Sequence, residues 1–478
     1  MADKTLDQEL FLGIDLGTTS VKVTLLDYVS KKVLMFLKED TKAVIVSNQS
    51  ISSQLSEQNV GLIFTALNRI LTSISAELRC RVQKIGICGQ MHGCVFWKKG
   101  HEKFNIEHFN ESGECDFISH LITWEDQRCS TQFLNSLPKT ENSLLLSTGF
   151  GCATIFWFAR NNPSFLSTYE YAGTVQDLLV ALLCGTSKPI MSTQNAFSWG
   201  YYNLKEKAWE KEMLENAGFP VHFLPTVREP GTVSGVLPRA YLGIPAGAQI
   251  SIALGDLQCS VLASLEQNTD AVLNIGTSSQ IAVIVPSQGL CSYNNCILPS
   301  IQFWPFFDAA VVAVAASLTG GNALATFVAT LQDWMKELGM PAILSKQELY
   351  AKLLKWGEGK TDTSLNIRPT LWGERHQTNL TGNVSCMSET NISLGDITAS
   401  LCNGVINNLQ TLMPRDWLIS CGVKRIVGTG NALARNAILQ KQTEKVWGLP
   451  LVIKEDSDAS HGAALALFQS KLIQSLEK

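Results

Sequence analysis

Apolar residues along this chain follow two rhythms, and the places where one gives way to the other mark its elements. Residues 10–27, LFLGIDLGTTSVKVTLLD, form two apolar runs joined by Gly17-Thr18-Thr19-Ser20, the pattern of a β-hairpin. The polar stretch Ser47–Asn59 reads as a loop. From Val60 to Leu78 the spacing of Leu62, Ile63, Ala66, Leu67, Ile70, Leu71 and Ile74 predicts a helix. A short strand follows over Ile85–Cys88, and the charged segment Lys98–Asp116 reads as a surface insertion whose His101 and His108 lack ligand partners at metal spacing. Ile250–Leu254 predicts a strand ending at Gly255-Asp256, and Ala271–Val285 a second strand-turn-strand unit. Leu394–Met413 is amphipathic and helical, Arg425–Val427 is a strand running into Gly428-Thr429-Gly430-Asn431, and Asp458–Leu472 opens a helix of small residues.

The second strand-turn-strand unit repeats the first. Aligning Ile14-Asp15-Leu16-Gly17-Thr18-Thr19-Ser20 with Leu273-Asn274-Ile275-Gly276-Thr277-Ser278-Ser279 keeps the glycine, the hydroxyl residues and the flanking apolar residues in register. A duplicated hairpin at the start of each half predicts two domains of one fold, residues 1–253 and 254–478. Length agrees, since 478 residues exceed what a single core supports. A net charge of -4 and a pI near 6.0 leave no basic stripe for a nucleic acid. The apolar run Ala309–Ala316 falls far short of the roughly 20 residues that span a bilayer. The acidic start MADKTLDQEL lacks the basic and apolar parts of a secretory signal, so a cytoplasmic protein is expected. The 13 cysteines form no CxxC pair and read as reduced thiols.

A turn of glycine followed by hydroxyl residues can aim successive amides and hydroxyls into one concavity that holds phosphate oxygens. Thr18, Thr19 and Ser20 in the first turn and Gly276, Thr277 and Ser278 in the second are such candidates, although tight-turn geometry alone would also select the glycines. Asp15, on the strand before the first turn, is placed to hold a hydrated magnesium ion. Asp256 follows an apolar strand beside Gly255 and suits a base that accepts a hydroxyl proton; a helix cap is the competing role. Gln90, Met91 and His92 leave a strand, and Trp124-Glu125-Asp126-Gln127-Arg128 sets a carboxylate and a guanidinium near an aromatic face, as a polyhydroxylated ligand requires. A satisfied Asp126–Arg128 pair is the plainer reading of the latter. Gly428, Gly430 and Asn431 offer bare backbone to a nucleotide. The same stretch could open a dinucleotide-binding unit with Glu455 or Asp456 as the ribose acid, but Leu433 occupies the third glycine's place. Gly359-Lys360-Thr361 ends like a P-loop, yet Leu354 stands where its first glycine belongs.

Taken in order, these segments resemble the FGGY carbohydrate kinases, which group with actin, hexokinase and the heat-shock ATPases. The likeness runs from Gly13-Ile14-Asp15-Leu16-Gly17-Thr18-Thr19 through Gly89-Gln90-Met91-His92-Gly93, Trp124 to Arg128, Gly255-Asp256, Gly276-Thr277-Ser278, Gly373-Glu374-Arg375 and Gly428-Thr429-Gly430-Asn431 to His461-Gly462-Ala463-Ala464. The resemblance implies an α/β fold of two actin-like, ribonuclease H-like domains with an active-site cleft between them. It implies phosphorylation of a ketose at its primary hydroxyl with ATP and Mg2+. The Gln-Met-His wording is similar to kinases of ketoses such as xylulose, and the Thr-Trp-Glu-Asp-Gln-Arg wording resembles the branch acting on sedoheptulose. Asp256 becomes the base, the two turns with Gly428, Gly430 and Asn431 become the nucleotide site, and Gln90, Met91, His92 and Asp126 border the sugar. A pentulose or polyol kinase, or a non-catalytic sugar or nucleotide sensor of the same fold, would carry the same motifs.

Overall fold

The computed structural model describes residues 9–45, 55–100, 106–109, 113, 115–140, 146–186, 188–285, 298–374, 377, 379–454 and 458–468. His101, Arg375, Glu455 and Asp456 lie outside them. The described residues fall into two compact units. The first takes those up to Ala263, Pro305–Asp308 and those from Asp458 onward; the second takes Ser264–Trp304 and Ala309 to Lys454. The break follows Ala263 rather than residue 253, because the helix that Asp256 opens stays with the strand leading into it. A late segment also rejoins the first unit instead of staying with the second.

The first unit is built on a sheet of β1 (Leu10–Leu16), β2 (Ser20–Asp27), β3 (Val33–Asp40), β4 (Val82–Gly89), β5 (Val233–Val236), β6 (Gln249–Ser251) and β7 (Leu254–Gly255). Its order is β5-β6-β4-β1-β2-β3, with β7 also pairing β4. β1 is antiparallel to β2 and parallel to β4. Every residue of β1 is buried, which explains why LFLGIDL is apolar almost throughout instead of alternating. The outer strand β3, VLMFLKED, is partly exposed along its whole length and carries too mixed a pattern to stand out in the sequence.

The second unit repeats the plan with β8 (Asp270–Ile275), β9 (Ser279–Val285), β10 (Ile301–Pro305), β11 (Val311–Ser317), β12 (Arg425–Thr429) and β13 (Leu451–Ile453), in the order β10-β11-β9-β8-β12-β13. β8 is antiparallel to β9 and parallel to β12, as β1 is to β2 and β4. The duplication read in the two hairpins therefore extends to the sheets around them.

Helices cover these sheets: α1 (Val60–Ser73), α2 (Val175–Cys184), α3 (Thr193–Trp199), α4 (Asp256–Ser264), α5 (Gly321–Glu337), α6 (Leu394–Leu412) and α7 (Ala459–Leu465). The expected helix to Leu78 breaks after Ser73, where Ile74 turns extended, and resumes as a single turn at Ala76. α7 rests directly on strand backbone. A methyl group on Gly13 would lie 1.9 Å from Ser460 O, and one on Gly86, its partner across β1 and β4, 2.1 Å from Ala463 O. On the opposite side of α7 a methyl on Gly462 would lie 1.9 Å from Cys259 O of α4. Three bare backbones thus let the helix pack between sheet and α4 at a distance no side chain permits. No helix among the described residues is long and apolar enough to cross a membrane.

Candidate active site

The first hairpin turn is held from three sides. Gly17 N–H donates to Ser20 O at 3.1 Å. Gln58 Nε2 donates to Thr18 O at 2.6 Å, and Trp124 Nε1 to Thr18 Oγ1 at 3.1 Å. The threonine hydroxyl thus receives one hydrogen bond and keeps its own proton to donate. Asp15 faces Lys22 across the hairpin, Oδ2 to Nζ 3.3 Å, and the same ammonium lies 2.8 Å from Asp458 Oδ2. Asp458 caps α7, its Oδ1 accepting from Ser460 N–H at 2.9 Å.

These charges perturb one another. Burial pushes the Asp15 carboxyl up to about 7; Lys22 opposes the rise, and Asp256 and Asp458 add to it. Asp256 is pushed up to about 6, again mainly by burial, against the Leu257 N–H, which it accepts at 2.8 Å, and the Lys22 charge. Burial favours the neutral amine of Lys22, but Asp15 and Asp458 outweigh it and keep the ammonium charged. Lys22 and Asp458 did not emerge from the sequence. Counting outward from the turn does pair residue 15 with residue 22, so the first was within reach of a register argument. Among the described residues no cluster of three or more His, Cys, Asp or Glu is arranged to cage a metal. One lysine among three mutually repelling carboxylates still leaves a site that a magnesium ion arriving on a polyphosphate would relieve.

The strand ends beside this cluster carry the expected sugar-side residues. Met91 is 6% exposed and packs on Gly255, where a methyl group would sit 2.8 Å from its Sδ. Gly255 therefore has to be bare for Met91 to reach the residue before Asp256. His92 holds φ 70°, its Nδ1 lies 2.9 Å from Ser198 O, and its ring stacks on Phe150 at 4.4 Å. Gln90 is buried and donates from Nε2 to Gln58 Oε1 at 3.0 Å. Asp126 is fully buried. Arg128 binds it through Nε at 2.7 Å and Nη2 at 3.0 Å, and Ser56 N–H at 2.9 Å and Arg128 N–H at 3.0 Å take up the rest of its acceptor capacity. Its carboxylate braces the loop that carries Trp124 to Thr18 and has no exposed edge for a sugar hydroxyl.

In the second unit the turn after β8 is closed by Gly276 N–H to Ser278 O at 3.0 Å. Its carbonyls are consumed inside the protein: Gly321 N–H donates to Gly276 O at 2.8 Å and Asn322 N–H to Thr277 O at 3.0 Å. The first amides of α5 are thereby satisfied, and what the turn retains for a ligand is N–H groups and hydroxyls. A methyl group on Gly276 would meet nothing nearer than Asn274 Oδ1 at 4.0 Å. Among the described residues neither packing nor a left-handed torsion asks for glycine there. Next to it lies a cavity of about 360 Å³, mostly apolar, lined by Gly321, Leu324, Tyr350, Val405, Asn431 and Arg435 among others. Gly321 joins the two features, since it lines the cavity and bonds the turn.

Gly428 and Gly430 serve packing first. A methyl on Gly430, at φ 89°, would lie 2.4 Å from Ile275 O, which brings Asn431 beside the turn; one on Gly428 would strike Leu433 and Ile453. Leu433 is fully buried, which leaves the dinucleotide reading without its third glycine. The P-loop lookalike is the C-terminal end of the helix Lys346–Glu358, with Gly359 as its cap.

The profile of the FGGY family of carbohydrate kinases, N-terminal domain, matches residues 10–263. A sedoheptulokinase of Mus musculus is 43% identical over 472 residues, covering 97% of this chain and 98% of that one. The sedoheptulokinase of Homo sapiens is 42% identical over 474 residues, with the same shares covered. Among solved structures, xylulose kinase from Rhodospirillum rubrum superposes with a TM-score of 0.77 at 17% identity, over 96% of this chain and 89% of that one. Plasmodium falciparum glycerol kinase with ADP superposes with a TM-score of 0.76 at 15% identity, over 98% and 92%. At such identities the superpositions establish the two-domain α/β fold.

Proposed function

The chain belongs to the FGGY family of carbohydrate kinases, and from that premise we propose that it transfers the γ-phosphoryl group of Mg-ATP to the terminal primary hydroxyl of sedoheptulose, giving the 7-phosphate. The end-to-end likeness to the mouse enzyme carries the choice of sugar. Asp256 takes the hydroxyl proton as the new O–P bond forms and the bond between the γ-phosphorus and the ADP oxygen breaks, releasing ADP. A carboxylate lifted to about 6 is still ionised at neutral pH, yet it holds a proton better than an ordinary aspartate, as a general base should. Positioning and charge stabilisation supply most of the rate in such transfers.

The second unit holds the nucleotide: Gly276, Thr277 and Ser278 meet the phosphates, and Gly428, Gly430 and Asn431 shape the adenosine cavity. In the first unit Thr18, Thr19 and Ser20 meet the transferred phosphoryl group, while Gln90, Met91 and His92 border the sugar. Asp126 acts one step back, bracing Trp124 and through it Thr18. Mg2+ would be held through water by Asp15, where it would neutralise charge on the phosphate oxygens.

A coupled ADP assay over sedoheptulose, xylulose and glycerol tests the proposal. Sedoheptulose is expected to give the highest kcat/KM. A preference for another acceptor refutes the sugar assignment; binding of sugar and ATP without ADP release would mean a sensor.

A further inference from the structure

Glutamine side chains crowd the ends of two neighbouring strands, and for Gln90, Gln176 and Gln194 the backbone decides which end of each amide is left over. Gly89 at the end of β4 and Gly255 at the end of β7 are register partners. Gln176, in the first turn of α2, donates from Nε2 to Gly89 O and to Gln90 O, each at 3.2 Å. Gln194, in the first turn of α3, accepts Gly255 N–H on Oε1 at 3.2 Å. In a side-chain amide only the NH2 can donate to a backbone carbonyl and only the oxygen can accept from a backbone N–H, so both amides are oriented without ambiguity. Gln176 has its oxygen to spare and Gln194 its NH2. For Gln90 the same follows through a relay: Thr18 O fixes Gln58 Nε2, whose Oε1 then accepts Gln90 Nε2, and Gln90 Oε1 remains.

All three remaining atoms are buried without a hydrogen-bond partner among the described residues. The side chains belong to residues that are 0%, 0% and 2% exposed for Gln176, Gln194 and Gln90. A buried amide atom normally finds a partner, and these three unmatched at adjoining strand ends, one residue before Gln90 and Asp256 and with Gln258 Oε1 unmatched beside Gly255 as a fourth, point to a partner supplied from outside.

We propose that Gln176 and Gln194, together with Gln90, read a pair of neighbouring secondary hydroxyls on the acceptor ketose. The two acceptors and one donor of these three side chains fit a vicinal diol that donates twice and accepts once. The inference deepens the ketose kinase reading and rests on it. Uncharged amides suit this task, because they can hydrogen-bond hydroxyls without adding a charge beside the base.

The test measures binding of sedoheptulose and its monodeoxy analogues to the intact protein by calorimetry, with ADP release followed in parallel. Loss of either matched hydroxyl should weaken binding about tenfold or more, and loss of the others should matter little. Gln194→Glu keeps the oxygen that accepts from Gly255 N–H and turns the free donor into an acceptor. It should bind sedoheptulose about tenfold more weakly, lose the penalty for the analogue lacking the hydroxyl that accepts from Gln194, and keep the wild-type KM for ATP. The inference is overturned if no analogue binds more than about threefold worse than sedoheptulose, or if the penalties persist unchanged in the variant. Water would then satisfy the amides. The analogue series on the wild type decides the matter even if the variant does not fold. Absence of ADP release from the wild type with every ketose is a separate result, which overturns the proposed reaction and this inference with it.

Discussion

The ammonium of Lys22 lies 2.8 Å from the carboxylate of Asp458, a residue near the opposite end of the chain. Through that contact the first hairpin is tied to the helix that sits on it, and the charge that does so also tempers Asp15 and Asp256. Because Lys22 lowers both carboxyls, Lys22→Met should raise them. In the wild type the acid limb of kcat/KM is expected near pH 6, since a base lifted to about 6 is lost by protonation below that value. The variant's limb should lie at higher pH, and its melting temperature should fall because two carboxylates lose their cation. Parallel pH profiles of the two proteins check this. An unchanged limb would mean that Lys22 does not act on the base.

Asp15 should cost stability in proportion to its ionisation. Its folded value, about 7, lies above that of a free aspartate, so the folded state binds the proton more tightly than the unfolded one. The contribution of this group is fully present below the ordinary aspartate range and is lost as pH rises through about 7. Asp15→Asn is therefore expected to melt higher than the wild type at pH 8. The gap should narrow steadily towards pH 4. Thermal unfolding across that range measures it, and a gap independent of pH would refute the charge explanation.

Asp256→Asn keeps the shape of the residue and removes its ability to take a proton. It should lower kcat by about two powers of ten or more while leaving the affinity for ATP near that of the wild type. Since burial disfavours the native carboxylate, the melting temperature should not drop at pH 8. Single-turnover measurements separate this from slower product release; retained chemistry would remove Asp256 from the base role.

How much of this was legible in the sequence depends on the range of the interaction. The hairpins were, because buried strands read as apolar runs and their turns show as glycine and hydroxyl residues within four positions. Leu394–Met413 was, to within a residue, but the helix from Val60 stops at Ser73 instead of Leu78, and α2, α3 and α5 gave no reading in the sequence. The satisfied Asp126–Arg128 pair was legible as the plainer reading of that stretch, but the contact with Ser56 N–H, which only the folded loop creates, was not. Gln176 and Gln194 carry no signal at all, since their significance lies in the unused end of each amide. That end is defined by Gly89 and Gly255, backbone partners far away in the chain.

Glycines divide by the same logic into those the fold requires and those it does not, and a paired substitution distinguishes them. A methyl group on Gly13 would fall 1.9 Å from Ser460 O, backbone that cannot move without lifting α7 from the sheet. Gly13→Ala should therefore cost about 1–3 kcal/mol or more, and a few degrees of melting temperature per kcal/mol in a unit of this size. Gly276 has no such neighbour, the nearest atom to an added methyl being 4.0 Å away. Gly276→Ala should melt with the wild type, yet raise KM for ATP about tenfold or more, because the methyl would occupy the space where phosphate oxygens approach the turn. Nucleotide titration and thermal unfolding of both variants give the four values needed. Should Gly276→Ala bind ATP as the wild type does, the turn after β8 is not the phosphate site, and the nucleotide must be sought elsewhere on the second unit.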